Sequence, residues 1–265
     1  MAKKRLESGR GRNAGVVRSA KKPVNRAFYV IIAAIAIVGI AALTYAASRP
    51  KGGSAIGFDS TLPKVESQGY VMGSPNARLE VTEFGDYECP QCGRFATLTE
   101  SDVRQRLVNT GQIRYRYIDF PLEMHRNTWN ASIAAACADR QGKFWEMHDA
   151  IFASQDQWDG EATNNPNKVL EQVASRIPGI NTDSFNVCLE TRQTQPKVQA
   201  HYELAMARKI MATPTFFIGN QKYEGFLPYD EFKKDVDEAL ARLGPAAPGT
   251  GGDTSKGALL KKPGT

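Results

Sequence analysis

From residue 28 to residue 47 the chain carries no charged side chain, and Ala, Ile and Val fill most positions. A helix of that length rises about 30 Å, the thickness of a bilayer's hydrocarbon core. The pattern predicts a transmembrane anchor over 28–47, with Tyr29 and Tyr45 near its ends, where amphipathic rings favour the interface. The rival is a cleaved signal peptide, whose apolar region runs to only about 7–15 residues.

Past the anchor the period changes. Residues 48–69 are rich in Gly, Ser and Pro and read as a linker. Leu79, Val81 and Phe84 predict a strand over 77–85, and 113–120 predicts a second. Between them, residues 90–108 read as a helix stopped near Gly111. Helical periodicity then fills about 127–140, 143–154, 167–177, 182–191 and 195–209. Two short strands, 214–218 and 222–226, flank Gly219-Asn220-Gln221, a hairpin signal. An amphipathic helix closes the pattern over 229–243. The order is βαβ, a block of helices, then ββα, an α/β fold whose helical insertion covers about 125–210. Residues 244–265 lack large apolar side chains apart from a Leu pair and are expected to be a disordered tail.

Charge changes the picture at one end only. The net charge of the 265-residue chain is +6. Nine Lys or Arg and one acid, Glu7, put +8 on residues 1–26, so the remainder carries −2. The basic tail, 1–27, is a topology signal and no argument for nucleic-acid binding. Positive charge before the span keeps the N-terminus cytoplasmic and places the rest outside the cytoplasm, in a single-pass cell-membrane protein whose lipid contact is 28–47.

The strand ending near Gly85 leads into Asp86-Tyr87-Glu88-Cys89-Pro90-Gln91-Cys92. Pro90 suits the first position of a helix, which sets Cys89 at the helix N-terminus. There free amides and the helix dipole stabilise a thiolate. One helical turn brings Cys92 within bonding range of Cys89. The first sulfur is expected to be exposed and acidic, the second shielded, as thiol–disulfide exchange requires. A lone Cys-x-x-Cys is a weak signal by itself. A zinc site normally joins two closely spaced ligand pairs. Cys137 and Cys188 stand 51 residues apart, so no metal is expected.

Glu83 to Phe95 resembles the active-site strand and helix of the DsbA-like thioredoxin-fold family. The resemblance continues at Ile118-Asp-Phe-Pro-Leu122, at 134–148 and at 212–220, and covers about 70–243. It implies a thioredoxin fold with an all-helical insertion and dithiol–disulfide exchange on secreted proteins, with no cofactor. It implies Cys89 as nucleophile, Cys92 as resolving cysteine, and Pro214 as a cis proline facing them. Thr213 then offers its backbone to an extended substrate. Glu83 matches a buried acid that shuttles the resolving cysteine's proton; an acid pointing to solvent is the alternative. Gln91 stands where relatives often carry histidine, which leaves the reduction potential open. The family further suggests substrate proteins with free thiols and a membrane partner, DsbB-like or VKOR-like, that reoxidises the pair. A reductase or isomerase of the same fold and a tethered polypeptide-binding chaperone are the alternatives.

In an oxidising compartment Cys137 and Cys188 most simply pair as a structural disulfide; a second redox pair is the rival. Closing a loop of about 50 residues stabilises by roughly 4 kcal/mol in the chain-entropy model. His125, His148 and His201 are scattered without metal-ligand spacing and read as ordinary polar or packing residues.

Overall fold

The computed structural model describes residues 26–48 and 56–244, with side chains on the first stretch from Ala27 to Ala41. The basic tail before residue 26, residues 49–55 and the C-terminal segment from 245 lie outside the described residues. The chain divides into two units, 1–50 and 51–265.

In the first unit, helix α1 (Arg26–Ser48) leaves Phe28, Ile31, Ile35, Val38 and Ile40 exposed. Among the described residues no helix is long and apolar enough to cross a membrane.

The second unit opens with β1 (Tyr70–Met72), β2 (Leu79–Gly85), α2 (Pro90–Leu98) and α3 (Glu100–Val103). A π-helical turn over Arg104–Val108 leads to β3 (Ile113–Asp119). The insertion runs through α4 (Thr128–Asp139), α5 (Phe144–Ala153), α6 (Gln155–Trp158), α7 (Pro166–Ala174), α8 (Thr182–Glu190) and α9 (Gln195–Ala207). Strands β4 (Thr215–Ile218) and β5 (Gln221–Glu224) and helix α10 (Tyr229–Arg242) complete it. The sheet order is β1-β3-β2-β4-β5. Strands β2 and β3 are parallel, as a βαβ crossover demands, and the other pairs are antiparallel.

Strand alternation sorts the sheet's side chains onto two faces. Leu79, Val81, Ile113, Tyr115, Phe216 and Ile218 pack with Phe95 of α2 and with Phe232 and Val236 of α10. Phe84, Ile118 and Phe120 pack on the other side with Ala205 of α9 and Ile210. A third cluster fills the insertion and reaches both Cys89 and Cys92, so the cysteine turn lies where sheet and insertion meet. Phe144, Met147, Ile151 and Phe152 are buried in this cluster, as their helical spacing predicts, and Trp145 packs against it from a half-buried position.

Three differences from the sequence pattern have physical causes. The 90–108 helix is broken at Thr99, whose φ of −120° departs from helical backbone. The edge strand β1 is only three residues long, too short for an alternation signal. The segment read as linker is docked from Ile56 onward. Ile56 is buried, Asp59 N–H donates to Gln199 (3.0 Å), and Gln195 donates to the Gly57 carbonyl (3.1 Å). Those partners lie some 140 residues away, beyond the reach of local composition.

Candidate functional site

The strand parity that sends Leu79 and Val81 inward also sends Glu83 inward, and its side chain is buried. Tyr115, on the neighbouring strand, donates its hydroxyl to Glu83 Oε2. Burial first, then the nearby Glu100 carboxylate, pushes the Glu83 carboxyl well above the usual range. The solvent-facing alternative for Glu83 is thereby excluded.

At the end of β2, Gly85 lets the buried Tyr117 ring cross closely; a Cβ there would lie 2.5 Å from Tyr117 Cε2. Asp86 follows, fully buried. Its Oδ1 accepts from Glu88 N–H (2.7 Å) and the Thr128 hydroxyl (2.6 Å). Its Oδ2 accepts from Leu122 N–H (2.8 Å) and lies 2.8 Å from Nδ1 of His125. The Asp86 carbonyl receives Cys89 N–H at 3.1 Å, and the Asp86 N–H points at Cys92 Sγ, 3.4 Å away. Glu88 holds the turn to the insertion by accepting from Asn127 N–H and Gly160 N–H, both at 2.6 Å. The Gln155 amide donates to the carbonyls of Tyr87 (2.6 Å) and Cys89 (3.1 Å).

This frame sets Cys89 as N-cap of α2 with Pro90 at the first helical position. Both cysteines are free thiols. Cys89 is 7% exposed and Cys92 is 0% exposed, so the leading sulfur is less open than helix-terminus logic implies. The cover comes from the loop before β4. Its Thr213–Pro214 peptide is cis, and Cys89 Sγ donates to the Thr213 carbonyl at 3.3 Å. β4 is antiparallel to β2 with Thr215 opposite Phe84, which carries Pro214 past the strand end toward the cysteine turn.

The two sulfurs differ as exchange chemistry requires. A hydrogen bond from Cys92 leads in lowering Cys89 to about 6, helped by the Thr213 side chain and by the amides of Cys92 and Gln91, against burial. Cys92 is pushed well above its ordinary value by burial first, then by its hydrogen bond to Cys89 and by the Cys89 and Glu83 charges. One sulfur is a thiolate near neutrality; the other keeps its proton.

Cys137 of α4 and Cys188 of α8 are joined in a disulfide with a Cα separation of 5.9 Å. Both are buried in the insertion cluster.

The three histidines, read from the sequence as ordinary polar or packing residues, each meet a carboxylate, and His148 and His201 are buried. His125 meets Asp86, His148 Nε2 lies 3.1 Å from Glu100, and His201 Nδ1 lies 2.7 Å from Asp119. Sequence reasoning missed Asp86, Glu100 and Asp119 because these partners lie 39, 48 and 82 residues from their histidines. The available signal was the placement of Asp86 and Asp119 at the C-terminal ends of adjacent parallel strands, where α/β sheets gather polar groups.

A family model described as thioredoxin matches residues 66–238. A "Probable disulfide bond formation protein D" of Bacillus anthracis is 25% identical, over 64% of this chain and 78% of its own length. A Na(+)/H(+) antiporter, NhaA 3 of Salinispora tropica, is 32% identical over 65% of this chain. The chain spans about a quarter of that antiporter's length. The oxidised crystal structure of BdbD from Bacillus subtilis superposes with a TM-score of 0.58, at 23% identity, over 64% of this chain and 92% of that one. The chain belongs to the thioredoxin family, and it is similar to disulfide bond formation proteins within it.

Proposed function

We propose that this protein is a membrane-anchored, extracytoplasmic oxidase of protein thiols that works through Cys89-Pro-Gln-Cys92. The observation that carries the reading is the asymmetry of the two sulfurs, Cys89 lowered to about 6 and Cys92 buried and raised. A substrate thiolate attacks Cys89 Sγ of the oxidised pair, a mixed disulfide forms, and the Cys89–Cys92 bond breaks. Cys92 leaves as a thiolate in a site that favours its thiol, so it takes a proton; the Glu83 carboxyl is the nearby acid that supplies it. A second substrate thiolate then attacks the substrate sulfur and releases Cys89 as a stable thiolate. A stabilised leaving thiolate makes the reduced enzyme the favoured product, which is what an oxidant needs.

Substrate capture fits the same face. Thr213 precedes the cis proline beside Cys89, where its backbone could pair with an extended polypeptide. Met124 and Met211, 82% and 78% exposed, stand on the loops that also carry His125 and Thr213. Such adaptable side chains accept varied apolar segments. The uncharged stretch 28–47 and the basic residues before it support an anchor with a cytoplasmic N-terminus. Reoxidation falls to a membrane partner of DsbB-like or VKOR-like chemistry.

The test is the in-cell state of the pair, read by acid quenching and thiol alkylation, with alkaline extraction of membranes in parallel. A mostly oxidised pair in the membrane fraction supports the reading. A mostly reduced pair turns it to a reductase or isomerase. A Cys89 no more reactive than a free thiol turns it to a polypeptide binder.

A further inference from the structure

The motif supplies no positive charge, because Gln91 is neutral. The fold brings one from elsewhere. Asp86 is fully buried beneath the cysteine turn and its backbone bonds toward both cysteines. Two of its four side-chain contacts are backbone amides and one is a hydroxyl; His125 is the only one that can carry charge.

We propose that His125 is a positioning cation of the active site: its imidazolium neutralises Asp86 beneath the two cysteines and so keeps Cys89 in its thiolate form. The inference rests on the exchange reading above. The physics is a balance of charge. An uncompensated carboxylate under the turn opposes a second negative charge on Cys89, and burial leaves little water to screen it. A protonated His125 removes that opposition. The groups facing the ring are Asp86, Glu88 and Cys89 from the β2–α2 turn, Glu123 and Arg126 from its own loop, and Tyr202 from α9. Its hydrogen bond to Asp86 leads in raising His125 above its ordinary value, and the Cys89 charge acts in the same direction. Interaction between two charges is mutual, so a proton on His125 favours the thiolate as the thiolate favours the proton.

The test compares the full-length protein with His125→Asn and His125→Lys. Asn preserves a hydrogen-bond donor toward Asp86 without charge; Lys preserves the charge without the ring. Two readouts are taken: Cys89 alkylation rate against pH, and equilibrium of the Cys89–Cys92 pair with glutathione. His125→Asn is expected to move the alkylation midpoint upward and to weaken the oxidising equilibrium roughly tenfold, about 30 mV. His125→Lys is expected to recover most of both. If Asn matches wild type, His125 is structural and the proposal is overturned; if Lys fails to recover what Asn loses, charge is not the cause and it is overturned too. Should a variant fold poorly, the wild-type protein carries the test. Its potential is expected to bend against pH at the His125 midpoint followed by NMR, and an unbent line overturns the proposal. A wild-type pair that never equilibrates with glutathione sinks the exchange reading instead, so the two failures are distinguishable.

Discussion

The chain holds two cysteine pairs in one domain, one free and one bonded, and their surroundings differ. Cys89 and Cys92 lie one turn apart at the start of α2, both free, held in unequal surroundings by Asp86, Thr213 and Glu83. Cys137 and Cys188 lie 51 residues apart on α4 and α8, bonded and buried in the insertion cluster. Closing a four-residue turn constrains the unfolded chain about half as much as closing a loop of some 50 residues. The first pair therefore has less to lose by opening than the second, and a stabilised thiolate to gain. The second stabilises only while it stays closed. In the proposed reading, local electrostatics, and not the disulfide bond itself, separates a reagent from a staple.

The largest break in this comparison is at the nucleophile. Cys89→Ser is expected to reduce dithiol-peptide oxidation to background, while Cys92→Ser accumulates mixed disulfides with substrate, visible on non-reducing gels. Retained turnover in Cys89→Ser would falsify the assignment. Next in size, removing the staple with Cys137→Ala/Cys188→Ala is expected to cost up to about 4 kcal/mol in urea unfolding. The alkylation rate of Cys89 is expected to stay within about twofold of wild type, since distant sites act independently. A large loss of Cys89 reactivity would mean that the second pair takes part in exchange.

Glu83→Gln sharpens the contrast from inside the first pair. Proton delivery to Cys92 is expected to slow, by up to roughly a hundredfold in single-turnover mixing. Stability moves the other way. A carboxyl raised above its unfolded value of 4.5 stabilises the fold below that value and loses this as pH climbs through the folded value. Glu83→Gln is expected to be less sensitive to rising pH than wild type, and an unchanged pH profile would count against an ionising Glu83.

The last contrast is the pH dependence of the reduced state. Cys89 is lowered from 9.0 to about 6. Its contribution is fully present above pH 9 and is lost as pH falls through about 6. The urea midpoint of reduced protein is expected to rise from pH 6 to pH 9, a rise missing in the oxidised form and in Cys89→Ser. Cys137 and Cys188 contribute nothing to this slope, because bonded sulfurs do not titrate.

Much of this could be read without coordinates. Alternation in Leu79–Val81 and in Phe216–Ile218, and the hairpin at Gly219, place most of the sheet. Pro90 after Cys89 announces the start of α2, and two leftover cysteines announce the staple. The β1 edge, the docking of Ile56 and the break at Thr99 escaped, because each depends on contacts with distant residues and leaves no local period.

What the sequence by itself determined is therefore what short-range physics writes: strand and helix period, the uncharged stretch 28–47, and the capped cysteine turn with its two sulfur atoms. Tertiary structure alone decided how charge is distributed around those atoms. It buried Glu83 under Tyr115, drew the cis Pro214 loop over Cys89, and gave each histidine a carboxylate 39 to 82 residues away. The reason is one of range: backbone preferences act over a few residues, whereas the electrostatics of a buried site depend on which strands and loops happen to converge there.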